Sequence, residues 1–306
     1  MKKNSRVDLP HDFIITIQNT YGDDGYKFLN SLPDLINEAS RRWNITDIQA
    51  VLNLSYNFVA FAKYGDQEVV LKIGVPNREL TSEMTALRLF DGRGSVRLIE
   101  ADEDQSMFLL ERLRPGEMLA TLKDDEQATN LAADVMLNLW QVAPSNSALI
   151  QLSDWFKGFD KLRARFNGGT GPLDKELVER AEGAVKEFFA EDYASMLIHG
   201  DLHHFNILSS GRGWLAIDPK GVIGPAAYEV GPLLINPSGD LSDHANVLQL
   251  TERRISILSE RLGFERERIR TWGLAHAVLS AWWSLEDNAA WDYTMDFARF
   301  FSKAQI

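Results

Sequence analysis

The spacing of apolar and polar positions changes character along the chain. Between Ile48 and Ile73, β-branched and aromatic residues gather around the turn Tyr64-Gly65-Asp66, so residues 58–63 and 68–73 are predicted to pair as a hairpin. From Arg78 to Phe90 the repeat is helical: Leu80, Met84, Leu87 and Phe90 share one stripe, and Glu83 lies beside it. Residues 96–99 and 107–113, on either side of the polar turn 102–105, complete a small antiparallel sheet with one packed helix. After Pro115-Gly116 the periodic segments are helical, at 124–142, 175–189, 244–262 and 266–285, with Gly263 placed as a stop. Short apolar runs at 196–198, 206–208 and 214–217 interrupt them, the last two joined by a tight turn at 209–213. The expectation is an α+β protein of two lobes, a sheet-rich N-terminal lobe at 1–113 and a larger, mostly helical lobe at 114–306.

Composition narrows the function. A chain of 306 residues, 45% hydrophobic, can form two compact domains. Cysteine is absent, which excludes disulfides and thiolate metal sites. The net charge of −12 disfavours nucleic acid and anionic membranes as partners and favours a cationic small molecule. Residues 1–11 carry charge with no apolar stretch behind them, and the most apolar helical stretch, 272–283, is shorter than the roughly 20 residues that span a bilayer. A cytoplasmic monomer is therefore expected.

The densest polar cluster is His199-Gly200-Asp201-Leu202-His203-His204-Phe205-Asn206, between two apolar strands. Asp218 ends the next strand, and hairpin pairing would return it beside Asn206. Two carboxylates and an amide, from Asp201, Asp218 and Asn206, converging at strand ends suit Mg²⁺, which takes oxygen ligands from one or two carboxylates and completes its shell with water and phosphate. Lys72 interrupts the apolar strand Val69-Val70-Leu71-Lys72-Ile73 and needs an anionic partner, for which Glu83 is the natural candidate. A cation on phosphates, a metal and a carboxylate that aligns a nucleophile are the parts phosphoryl transfer requires. His199 and His203 as zinc ligands are the rival reading. Gly200 weakens a helix there, and no third histidine follows at a suitable spacing.

These residues resemble the aminoglycoside phosphotransferases, and within them the streptomycin 6-kinase and hydroxyurea-resistance kinase group. The motifs are residues 198–208, Ala216-Ile217-Asp218-Pro219-Lys220-Gly221 and Ala227-Tyr228-Glu229. The resemblance implies a protein-kinase-like fold and an ATP- and Mg²⁺-dependent transfer to a hydroxyl of a streptomycin-type aminoglycoside. It implies that Asp201 orients the hydroxyl or takes its proton, that Asn206 and Asp218 hold the metal, and that Lys72 with Glu83 grips the phosphates. Lys220 is assigned to the transferring phosphoryl group, and Glu111, Arg112 and Leu113 to an adenine-contacting hinge. The glycine-free segment 53–59 departs from the family pattern, so Ser55, Tyr56 and Asn57 are expected to cover the phosphates. An acid often found after the glycine of Gly224-Pro225 is also missing, which points to different packing beneath the metal loop.

For the acceptor, Glu229, Trp282, Trp283, Glu286 and Asp287 are the candidate contacts, near Trp291 and Asp292. Carboxylates would pair with ammonium or guanidinium groups and indoles with cations or sugar rings. The same residues suit an ordinary core with a solvated acidic face equally well. Two alternatives stay open: a kinase of another hydroxylated metabolite, a sugar or amino alcohol, and a pseudokinase that binds nucleotide without turnover.

Overall fold

A computed structural model describes residues 9–144, 149–237 and 244–303. The chain opens with α1 (His11–Trp43) and continues through β1 (Ile45–Ala50), β2 (Asn57–Tyr64), β3 (Gln67–Gly74), α2 (Arg78–Phe90), β4 (Leu98–Asp102) and β5 (Met107–Glu111). The strands form one antiparallel sheet in the order β1-β2-β3-β5-β4. Strand alternation gives it two faces. Phe58, Ala60, Ala62, Val69, Leu71 and Ile73 pack with Phe13, Ile17, Phe28 and Leu32 of α1. On the opposite face Phe108 and Leu110 meet Leu80, Met84 and Leu87 of α2, joined by Leu113 and by Leu215 from the other lobe. The hairpin and α2 lie where the pattern predicts. The long α1 is an addition, broken at Gly22 (φ 54, ψ −128) and carrying Pro33.

The second lobe comprises β6 (Pro115–Met118), α3 (Asp125–Leu139), β7 (Gln141–Val142), β8 (Ile150–Gln151), α4 (Leu152–Phe156), α5 (Gly158–Arg165), α6 (Lys175–Ala190), β9 (Met196–Ile198), β10 (Ile207–Ser210), β11 (Gly213–Ala216), β12 (Val222–Gly224), α7 (Val230–Leu234), α8 (His244–Leu262), α9 (Arg266–Glu286) and α10 (Asp292–Lys303). The helix expected to reach Val142 stops at Leu139, because Gln141 and Val142 pair with Leu197 and Met196 of β9 instead. Helix α9 is the centre of this lobe, with Trp272, Ala275, Val278, Leu279 and Trp282 all buried.

Two contacts to backbone groups are among those that fix one lobe against the other. Ser95 bridges Ala216, with Val96 N donating to Ala216 O at 2.8 Å and Ala216 N to Gly94 O at 2.9 Å. Ser82 of α2 donates to Gly221 O at 2.6 Å and accepts from Ile150 N at 3.2 Å. Gly221 stands at φ +64, and a Cβ there would lie 2.6 Å from the Ser82 carbonyl oxygen, so only glycine lets α2 come this close. Glu83, the next residue, is thereby held facing the cleft.

Candidate active site

Lys72 sits mid-strand in β3, paired with Val59 on one side and Phe108 on the other, on the face turned toward α2. It is 4% exposed. A buried ammonium requires anionic partners. Glu83 supplies two oxygens, at 2.6 and 2.8 Å, and Asp218 of the other lobe a third at 3.2 Å. Burial by itself lowers the Lys72 pKa, but the charges of Asp218 and Glu83 outweigh it and raise the value. Glu83 is shifted up by its own burial, with Lys72 opposing. The Asp218 carboxylate is likewise pushed up by desolvation, yet Lys72 overcomes this and holds it below the ordinary carboxylate range. Its side chain is 52% exposed and open to the cleft, and its backbone adopts a left-handed φ of 56°. A non-glycine residue in that region is uncommon and occurs often at functional sites.

The loop between β9 and β10 carries Asp201. His199 within it is fully buried, and burial depresses its pKa to about 3. The neutral ring donates from Nε2 to Ile217 O at 2.8 Å, which leaves Nδ1 to accept from Asp201 N at 3.2 Å. Both ring nitrogens are thus engaged by backbone groups, and among the described residues no group of three His, Cys, Asp or Glu could hold a metal ion. That removes the zinc reading. Asp201 keeps its side chain partly exposed, with His203 Nε2 3.8 Å from Oδ1. Desolvation raises its pKa, opposed by His203 and Lys220.

Asn206 donates from Nδ2 to Asp201 O at 2.9 Å, and its own backbone carbonyl accepts from Ile217 N at 2.9 Å. The second bond sets Asn206 at the strand end beside Asp218. Lys220 is anchored through its backbone N to His199 O at 2.8 Å, and its ammonium reaches Glu79 of α2 at 3.4 Å. Tyr21 of α1, a residue the sequence did not single out, also belongs here: burial raises its pKa, followed by the charge of Glu79, with Lys220 opposing.

The assignment of Glu229 to the acceptor requires correction. It is fully buried, and its two carboxylate oxygens accept from His199 N at 2.6 Å and Gly200 N at 2.9 Å. It holds the Asp201 loop from beneath and cannot face a substrate. Its burial pushes the pKa up to about 7, against the lowering effect of those two amides.

Trp282 is corrected as well. It is 2% exposed, and a Cβ on Gly158 would lie 2.9 Å from its Cδ1, so α5 seals it into the core. Trp283 is partly buried, and Glu286 and Asp287 are exposed. At the hinge, the Glu111 carboxylate pairs with Arg212 of the β10–β11 turn and accepts from Arg97 N at 3.0 Å. Its side chain is therefore turned from any adenine. The Arg112 guanidinium stacks 3.7 Å over Phe61 and bonds Glu68 at 3.1 Å, and Leu113 is buried. Ser55 and Tyr56 are exposed between β1 and β2, and Asn57 opens β2 opposite Gly74, two residues beyond Lys72.

Magnesium fits this donor set. The Asn206 amide nitrogen is engaged by Asp201 O, which turns its carbonyl oxygen away, and Asp218 presents an open carboxylate at the adjoining strand end. Two protein oxygens with room for phosphate and water match the preference of this ion.

Comparison with known proteins agrees with the geometry. Residues 42–288 match the family described as aminoglycoside/hydroxyurea antibiotic resistance kinase. A streptomycin 6-kinase of Streptomyces glaucescens is 30% identical over 293 residues, 95% of each chain. A hydroxyurea phosphotransferase of Kitasatospora aureofaciens is 30% identical over 296 residues, 92% of this chain and 81% of its own. The crystal structure of a thermostable mutant of aminoglycoside phosphotransferase APH(4)-Ia, in a ternary complex with ADP and hygromycin B, superposes with a TM-score of 0.62 at 15% identity. That match covers 90% of this chain and all of the other, and it establishes the protein-kinase-like fold.

Proposed function

The chain belongs to the aminoglycoside/hydroxyurea antibiotic resistance kinases and is a small-molecule phosphotransferase; from that premise we propose that it transfers the γ-phosphoryl group of ATP to a hydroxyl of a streptomycin-type aminoglycoside. The observation that carries the reading is the Lys72 ammonium, buried between Glu83 at 2.6 Å and Asp218 at 3.2 Å across the two lobes. A fixed cation of this kind suits the phosphates of a triphosphate.

In this reading Asp201 accepts the proton of the acceptor hydroxyl as its oxygen forms the new bond to phosphorus and the bond from the γ-phosphorus to the β–γ bridging oxygen breaks, releasing ADP. A raised pKa brings the Asp201 carboxylate closer to the range in which a base works well. Magnesium, held by Asn206 and Asp218, would neutralise phosphate charge. Lys220 leaves Glu79 to meet the transferring group, while Ser55, Tyr56 and Asn57 cover the phosphates. The backbone at 111–113 receives adenine, and the boundary between lobes falls at 113/114. A reaction that consumes ATP and draws every part from one chain suits a cytoplasmic monomer. No helix among the described residues is long and apolar enough to cross a membrane.

The test is incubation of the protein with ATP, Mg²⁺ and a panel containing streptomycin, other aminoglycosides, hydroxyurea, sugars and amino alcohols, read by mass spectrometry. A phosphate adduct on streptomycin supports the assignment. Adducts only on another hydroxylated metabolite move the substrate class, and nucleotide binding with no product from any acceptor contradicts the reaction.

A further inference from the structure

Two tryptophans beside the Asp201 loop have no part in gripping phosphate. Trp155 lies on α4, directly after β8, whose parallel pairing with β12 joins Ile150 to Val222 and Gln151 to Ile223. That register carries the indole against the backbone immediately before Asp201. A Cβ added to Gly200 would lie 2.9 Å from Trp155 Cη2 and 2.7 Å from Val222 Cγ2, and Gly200 itself stands at φ +89. The absence of a side chain at 200 is what admits the ring.

Trp155 also meets Trp283 edge to face, with centroids 5.6 Å apart and planes at 89°. Both indoles are half-buried, Trp155 against Tyr228 with ring centroids 6.1 Å apart and Trp283 against His276 at 6.3 Å, whereas Trp272 and Trp282 of the same helix as Trp283 are 0% and 2% exposed. Each ring rests on the core by one part and keeps another part open, and strand register and ring contacts hold Trp155 against Gly200, the residue before Asp201. Glu286 stands one helical turn beyond Trp283 and is exposed, with the likewise exposed Lys161 ammonium 3.8 Å away as a partner that a substrate cation would displace.

We propose that Trp155 and Trp283 form the wall on which the acceptor's ring lies, which makes Trp155 a specificity-determining residue for cyclic polyols that carry a cationic substituent. The inference rests on the phosphotransferase reading of the same site. An indole face attracts both the C–H face of a saturated ring and a nearby cation. A hydroxyl presented at Asp201 then places the cationic group outward, toward Glu286.

The test is calorimetric titration of streptomycin, with myo-inositol as an uncharged cyclic polyol, into the wild type and the variants Trp155→Leu, Trp155→Phe and Trp283→Leu. ATP–Mg²⁺ affinity is measured on each as a check of folding. Streptomycin affinity should fall about tenfold in Trp155→Leu, fall a few-fold in Trp283→Leu and return toward wild type in Trp155→Phe, as loss and restoration of a ring face require. Myo-inositol should bind more weakly than streptomycin to the wild type. Trp283→Leu, a change on α9 rather than against Gly200, keeps the proposal testable if Trp155→Leu fails to fold. Streptomycin affinity that is unchanged in the folded leucine variants, or no streptomycin binding by the wild type, overturns the wall. Binding that depends on Trp155 without any phosphorylated product would instead overturn the reaction and leave the wall standing.

Discussion

At the proposed phosphate end of the cleft a lysine that is 4% exposed meets two carboxylates within 3.2 Å, whereas at the proposed acceptor end the acids Glu286 and Asp287 stand at the surface, at the end of a helix whose other sides are core. The first region is specified by charge: a buried ammonium permits few arrangements of its partners. The second is specified by packing, in which neighbouring residues of one helix have opposite fates. Trp282 is sealed under Gly158, and Trp283, the next residue, meets Trp155 near Asp201. Substitutions at the two ends should accordingly fail in different ways, the phosphate end through chemistry and stability together, the acceptor end through substrate affinity.

The largest effect is expected for Asp201→Ala. Loss of the group proposed to take the hydroxyl proton should lower kcat by about a thousandfold, in the range of general-base contributions, while ATP–Mg²⁺ affinity measured by calorimetry changes little. Lys72→Met should abolish tight nucleotide binding and also destabilise the fold by about 3–5 kcal/mol, because it strands the buried Glu83 carboxylate. Denaturant unfolding of the double variant Lys72→Met/Glu83→Leu separates the two consequences. Most of the stability should return and none of the activity, which would show that the pair is retained for phosphate rather than for folding.

Glu229 tests how the loop beneath the site is held. Its pKa is pushed up to about 7, above the ordinary carboxylate value, so between the two the folded protein keeps a proton that the unfolded chain releases. The stability this group contributes is therefore fullest at acid pH and is lost as pH rises through about 7. Glu229→Gln should flatten that fall, by about 2–3 kcal/mol at most, when unfolding curves of variant and wild type are compared from about pH 5 to pH 8. The same variant should lower kcat, because an amide cannot accept from both His199 N and Gly200 N through two oxygens. The smallest effect is expected for Arg212→Ala. Removing the guanidinium that ties Gly92 O at 2.8 Å and Glu111 should cost about 1–2 kcal/mol in denaturant unfolding, most of it at the hinge.

How much of this was legible in the sequence follows the same division. Lys72 stood out because a charge interrupts an apolar strand, and Asp201, Asn206 and Asp218 because oxygen-bearing residues gather at predicted strand ends. The structure brings Lys72, Glu83 and Asp218 into direct contact and joins Asn206 to the Asp201 backbone. Glu229 was misplaced because its role depends on how closely the segment before α7 approaches the His199–Gly200 backbone, a tertiary contact that leaves no periodic trace. Trp282 and Trp283 could not be told apart because α9 is buried nearly all round, so no apolar stripe marks the side facing the cleft. Helix α1 escaped detection through Gly22 and Pro33, which break its pattern although Phe13, Ile17, Phe28 and Leu32 all reach the sheet. Trp155 carried no signal of its own. Its importance comes from the missing side chain at Gly200, forty-five residues later by number (from 155 to 200).

The central claim is that a magnesium-bound triphosphate lies between Lys72 and the oxygens of Asn206 and Asp218. It is tested most directly by calorimetric titration of ATP, with and without Mg²⁺, into the wild type and Asp218→Ala. The account predicts that Mg²⁺ tightens ATP binding to the wild type and has little effect on the variant. Equal dependence on Mg²⁺ in the two proteins, or none in the wild type, would contradict it.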